Sequence, residues 1–159
     1  MIKITIIALG KLKEKYLENA VAEYQKRLSR YCKLDILELE PVRLPEKPSQ
    51  AEIDSALLRE AEMIFKKIPA NSDVFTLCIE GKPLSSEKFA ENVAFSKNNG
   101  KNLTFIIGSS YGLCEKVKAI SKLKLSFSQM TFPHQLFRVM LLEQIYRAFK
   151  INEGSAYHK

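Results

Sequence analysis

The stretch Leu103-Thr-Phe-Ile-Ile-Gly-Ser-Ser-Tyr-Gly112 reads as a strand running into a loop. Leu103–Ile107 is uncharged and rich in β-branched side chains, as expected of a strand buried on both faces. Gly108-Ser-Ser-Tyr-Gly112 lets the backbone turn sharply and a ligand approach it closely. Downstream, a short helix is expected from about Cys114 to Ser121 and a strand over Leu123–Phe127. Upstream, strands are expected at Ile2–Leu9, Leu34–Leu39 and Asp73–Ile79, the last ended by Gly81-Lys-Pro. Helical spacing marks Tyr16–Tyr31, with Leu17, Ala20, Val21, Tyr24 and Leu28 on one face. Two more helices are expected, from Ser49 or Gln50 to about Lys67 and from Ser85 or Ser86 to about Asn98. Pro41, Pro45 and Pro48 mark a loop between strand and helix. Thr131 is expected to cap a last helix running to about Lys150, with Pro133 in its first turn. Strands alternating with helices predict an α/β fold: a mainly parallel sheet with helices on both faces. Ligands of such sheets bind outside the carboxyl ends of the strands. Three segments there suit a ligand: Leu77–Gly81, Ile107–Gly112 and Phe127–Phe132.

The 159 residues suit one domain, 1–159, with a real core. No apolar stretch is long enough to span a membrane. The apolar start is followed by Lys11, Lys13 and Lys15 with no small-residue cleavage site, so it reads as a first strand and not a signal peptide. Cys32, Cys78 and Cys114 are odd in number and far apart, and no Cys-x-x-Cys occurs. A disulfide framework or a structural zinc site is disfavoured, no metal is expected, and a reducing cytoplasm is the natural compartment. The net charge is +7, and residues 101–159 hold nine Lys/Arg against three Asp/Glu, with Lys116, Lys118, Lys122 and Lys124 closely spaced. That excess favours a polyanionic partner such as nucleic acid.

The Rossmann fingerprint is absent, and Thr76 stands where a phosphate-cradling loop ending in Gly81-Lys82 would need glycine. In Leu125–Phe132, Ser126, Ser128, Gln129 and Thr131 alternate with Phe127, Met130 and Phe132. Main-chain polar groups between apolar walls are what a flat heteroaromatic ring such as adenine needs; the plainer reading is a strand end and a helix cap. The last helix is apolar nearly all round, from Leu136 to Phe149, which implies burial on more than one side and points to a two-fold dimer. Glu143 and Arg147 are spaced to pair along it. The chain closes on Tyr157-His158-Lys159, where His158 is either simply solvated or a proton-transfer group.

Together these segments resemble a family. Phe105-Ile-Ile-Gly108, Leu125-Ser-Phe-Ser-Gln-Met-Thr-Phe-Pro-His-Gln135, Glu143-Gln-Ile-Tyr-Arg-Ala-Phe-Lys-Ile151 and the closing Tyr-His-Lys look like the RlmH-type ribosomal RNA methyltransferases, members of the SPOUT group of trefoil-knotted enzymes. The likeness begins at Ala8-Leu-Gly-Lys-Leu-Lys-Glu-Lys-Tyr16 and runs the full length. It implies a homodimer with a C-terminal trefoil knot, an exception to the usual unknotted chain. It also implies an S-adenosylmethionine-dependent methylation of N3 of a pseudouridine in 23S rRNA of the large ribosomal subunit or assembled ribosome. Carried over by position, the cofactor contacts are Leu77, Gly108 and the run Phe127, Ser128, Gln129, Met130, Thr131 and Phe132.

The chain departs from the family at Ser109, where the usual reading is Ile-Gly-Gly. A φ > 0 at Ser109 would cost on the order of 1 kcal/mol, so a negative φ or a slight loop shift is expected. For catalysis, His158 is the candidate for proton handling, Arg147 and Tyr157 for orienting the base, and Glu143 for holding Arg147, with His158 able to serve the partner's cofactor across the two-fold. RNA phosphates are expected on Lys116–Lys124, Lys11–Lys15 and Arg138. The alternative function is a non-catalytic ribosome- or RNA-binding factor using the same basic surface.

Overall fold

A computed structural model of the protein describes residues 1–159. Five strands, β1 (Ile2–Leu9), β2 (Cys32–Leu39), β3 (Ser72–Pro83), β4 (Asn102–Ile107) and β5 (Leu123–Ser126), alternate with helices α1 (Lys15–Leu28), α2 (Gln50–Phe65), α3 (Ser86–Asn98), α4 (Glu115–Ala119) and α5 (His134–Asn152). All neighbouring strands are parallel, in the order β2-β1-β4-β3-β5. This is the α/β architecture read from the sequence.

Alternation along the strands divides the core into two layers. Ile2, Ile4, Ile6 and Ala8 of β1, with Leu103, Phe105 and Ile107 of β4, meet Val21 of α1, Phe89 and Val93 of α3 and Leu141, Leu142 and Ile145 of α5. Ile7, Leu9, Val74 and Ile106 point the other way, against Ala61 and Ile64 of α2 and Val117 of α4. The last helix therefore lies on the sheet between α1 and α3. Its inner face, from Arg138 to Phe149, is buried within one chain, which accounts for much of its apolar character.

Local side-chain caps set two of the five helix starts. Ser49 accepts from the Glu52 N–H while the Glu52 side chain accepts from the Ser49 N–H, a reciprocal capping box. Ser85 caps α3 through the Lys88 N–H. Thr131 does not cap α5: Pro133 holds that position without a side-chain cap, and the helix begins at His134. Nor does β3 stop before Gly81. It pairs with β5 through Leu77, arches out over residues 78–81, and rejoins the ladder at Lys82 and Pro83. Gly81 makes that return tight, since a Cβ there would lie 2.7 Å from the Lys124 carbonyl oxygen.

Asp73 at the start of β3 ties this side together, accepting from Ser96 Oγ (2.6 Å) and Lys122 Nζ (2.8 Å). Partial burial opposes its charge, but these hydrogen bonds hold its carboxyl below the ordinary value. A depressed carboxylate pKa stabilises the fold above the unfolded value, near 4, and that stability disappears as pH falls through the folded value. Asp73→Asn is therefore expected to lower the denaturation midpoint at pH 7 and to match the parent protein near pH 2. An equal deficit at both pH values, measured by urea titration, would count against this account.

Candidate active site

The three strand-end segments singled out from the sequence converge. Leu77–Glu80, Ile107–Leu113 and Leu125–Ser128 line one cavity of about 320 Å³ at the carboxyl end of the sheet, closed by Thr131, Phe132, His134 and Phe137. Of the eight expected cofactor contacts, Leu77, Gly108, Phe127, Ser128, Thr131 and Phe132 line it, whereas Gln129 and Met130 do not. Met130 is 73% exposed, at the tip of a loop in which its own N–H donates to Ser128 Oγ (2.9 Å). Phe127 and Phe132 pack against Phe137 with ring centroids 5.9 and 5.6 Å apart, so the aromatic wall is braced by the first turn of α5. The polar edge carries Glu80 and Lys118, which form an ion pair; Lys118 also reaches Glu115 (3.3 Å). Chiefly through the hydrogen bond from Lys118, the Glu80 carboxyl is held below its ordinary value. Apolar faces, one zwitterionic edge and bare backbone suit an adenine ring carrying an amino-acid tail.

The glycine loop is fitted to this cavity. A Cβ on Gly108 would fall 2.4 Å from the Gly112 carbonyl oxygen, inside any tolerable contact. Asn71 is the one non-glycine residue with φ > 0, so Ser109 lies in ordinary backbone space. Its hydroxyl donates to Glu60 Oε1 (3.0 Å), and Glu60 is only 4% exposed. The second carboxylate oxygen accepts from the Val42 N–H (2.9 Å). Ser109 thus fills a need that glycine cannot. Ser109→Gly is expected to lower stability by about 1–2 kcal/mol, because it strips a hydrogen bond from a buried carboxylate; an unchanged or raised thermal midpoint would contradict it.

The C-terminal residues assemble elsewhere. Glu143 accepts from Tyr24 (2.6 Å), from Tyr157 (3.0 Å) and from Arg147 (2.7 Å). Burial, then the Glu143 contact, raises both tyrosine pKa values, so the two phenols remain donors. The Arg147 guanidinium lies 4.7 Å from the Tyr157 ring centre and donates to His158 Nδ1 (3.1 Å). The other nitrogen, His158 Nε2, donates to Glu87 of α3 (2.7 Å). Glu143 and Arg147 pair as their spacing suggested, and Tyr157 and His158 join them in one network, but none of the four lines the first cavity within the same chain. His158 has both ring nitrogens engaged.

Beside the first cavity lies a second, of about 830 Å³, between the carboxyl ends of β1 and β4. Connections leave these two neighbouring strands in opposite directions, the place where open α/β sheets bind ligands. The cavities share a wall made of Ile107, Ser109, Ser110, Tyr111 and His134. Sequence reasoning passed over Glu60, Tyr111 and His134; for His134 the available signal was its place directly after Pro133 at a helix start. Arg138, expected on RNA phosphates, is 4% exposed and bonds Glu38 and the Gly10 carbonyl. It latches α5 to the ends of β1 and β2. Lys118 and Lys122 are likewise tied to carboxylates, leaving Lys116 and Lys124 exposed on that side.

Residues 2–158 match the family model described as "Predicted SPOUT methyltransferase". The chain belongs to the SPOUT methyltransferase family. It is 55% identical over 157 residues to a "Putative ribosomal RNA large subunit methyltransferase H" of Methanococcus vannielii, covering 98% of this chain and 99% of the relative. It is 49% identical over 158 residues to the "Ribosomal RNA large subunit methyltransferase H" of Streptococcus suis, covering 99% of each. Among solved structures, it superposes on the A. aeolicus TrmH/SpoU tRNA modifying enzyme with a TM-score of 0.49, at 8% identity over 97% of this chain and 78% of the other. The SpoU methyltransferase AviRb from Streptomyces viridochromogenes, in complex with AdoMet, gives a TM-score of 0.47 at 10% identity, covering 97% and 59%. The resemblance drawn from the sequence thus holds along the whole chain.

Proposed function

We propose that the protein is an S-adenosylmethionine-dependent ribosomal RNA large-subunit methyltransferase that modifies N3 of a pseudouridine in 23S rRNA. The carrying observation is the convergence of Leu77, Gly108 and Phe127–Phe132 segments on one apolar cavity with a Glu80–Lys118 edge. When bound there, S-adenosylmethionine supplies an electrophilic methyl group on a sulfonium. Leu77, Ile107, Phe127 and Phe137 would cover the adenine faces, and the Gly108 backbone would approach it where no side chain fits. Glu80 and Lys118 are suited to the ammonium and carboxylate of the amino-acid tail. The Gly81 crossing over β5 fits a C-terminal knot in a single domain spanning 1–159.

The proposed enzyme is a homodimer. The tail network does not line the cavity of its own chain, so a second copy would bring Arg147, Tyr157 and His158 over the partner's cavity. There Arg147 and Tyr157 would orient the base. His158, held by Arg147 and Glu87, would set the edge of the pocket. Exposed lysines such as Lys11, Lys13, Lys116 and Lys124 would meet RNA phosphates, giving a salt-dependent affinity. The deciding experiment is methyl transfer from labelled S-adenosylmethionine to ribosomes lacking the modification, beside naked ribosomal RNA. Labelled N3 of pseudouridine is the expected product. Binding of ribosomes without binding of S-adenosylmethionine in calorimetry would favour a non-catalytic factor instead.

A further inference from the structure

We infer that His134 is the proton acceptor of the methylation, taking the N–H proton of a nucleobase lodged in the cleft between the ends of β1 and β4. This rests on the reading that the protein methylates a ring nitrogen of RNA. His134 lies on the wall shared by the cofactor cavity and this cleft, so one ring faces both the methyl donor's chamber and the second, larger one. It makes no hydrogen bond within the chain, in contrast to His158, whose two nitrogens are both engaged. An acceptor that must pick up a proton needs a free ring nitrogen.

The cleft has the attributes of a base-binding chamber. Tyr111, half exposed on the shared wall, offers an aromatic face for stacking. Arg138 lines it as a fixed cation, its guanidinium held by Glu38 and the Gly10 carbonyl oxygen.

The electrostatics keep the ring neutral. Lys11, Lys13, Glu14, Glu40, Glu60 and Arg138 line the cleft, and Glu80 and Lys118 line the other cavity. Four cations stand against four carboxylates, so net charge does not decide the matter. Partial burial of the ring does, lowering the His134 pKa. Its position as the first residue of α5 acts in the same direction. Near pH 7 the imidazole is therefore a base.

In the step itself, the ring N–H of the nucleobase passes its proton to a free nitrogen of His134. The electron pair left on the base forms the N–CH3 bond and displaces sulfur, which keeps the C–S pair as a neutral thioether. The imidazolium then returns the proton to solvent.

The test is His134→Gln and His134→Asn, assayed in single turnover on ribosomes lacking the modification. Removal of a general base is expected to slow methyl transfer roughly 100-fold or more, with S-adenosylmethionine binding by calorimetry within threefold and an unchanged thermal midpoint. With only two histidines in the chain, the His134 ring can be followed by proton NMR. The wild-type rate should climb with pH through that titration and then level off, while the variants' residual rate keeps climbing. A variant within threefold of the parent rate overturns the proposal. So does a parallel loss of S-adenosylmethionine binding, or a wild-type profile that ignores the His134 titration. Wild-type protein that binds S-adenosylmethionine yet leaves ribosomes unmethylated overturns the underlying function, a result distinct from inactive variants beside an active parent.

Discussion

Gly108→Ala is expected to weaken S-adenosylmethionine binding about a hundredfold. The added Cβ would sit 2.4 Å from the Gly112 oxygen, 2.7 Å from its carbonyl carbon and 2.9 Å from Leu113 Cγ. Two of those atoms are backbone, so relief requires moving the loop that floors the cavity. Overpacking of this kind costs about 3 kcal/mol at the upper end, and 1.4 kcal/mol is tenfold in affinity. Gly112→Ala is the informative control. Its φ is +85°, but a Cβ there would meet nothing within 4 Å. It is strained without clashing and should cost only about 1 kcal/mol. Calorimetry on the two variants would separate steric closure from backbone strain; equal losses would refute the distinction.

Deleting Tyr157-His158-Lys159 is expected to reduce methyl transfer at least ~100-fold, the scale of losing positioned groups, and to leave the fold and S-adenosylmethionine binding intact. The tail contributes nothing to the two core layers. Its loss frees Arg147 of His158 and strips one donor from Glu143, but Tyr24 and Arg147 still satisfy that carboxylate. A mixed population gives the sharper result. If each tail serves the partner's cavity, co-folding the truncated chain with Gly108→Ala should recover roughly a quarter of parental activity. Half of the dimers would be mixed, with one intact site each. No recovery would place tail and cavity in the same protomer's site.

Much of the fold was legible because its signals are local. The uncharged run Leu103–Ile107 could only be a strand buried on both faces, and it pairs with β1 on one side and β3 on the other. Ser49 followed by Glu52 announced a helix start by a bond spanning three residues. Thr131 misled because Pro133, with no N–H and a fixed φ, took the boundary two residues later. The arch at residues 78–81 was hidden because it depends on β5, more than forty residues downstream.

The site divides in the same way. Sequence alone determined that Gly108 and the Phe127–Phe132 run follow strand ends, since chain direction in a parallel sheet puts them there. It determined the Glu143–Arg147 pair too, since four residues are one helical turn. Only the tertiary structure decided that Ser109 answers a carboxylate 49 positions away, that Arg138 is a buried latch, and that the two histidines differ. His158 is locked between Arg147 and Glu87, while His134 stands unpartnered between two cavities. A histidine's chemistry is set by what surrounds its two nitrogens, and those neighbours come from strands and helices that meet only when the chain has packed.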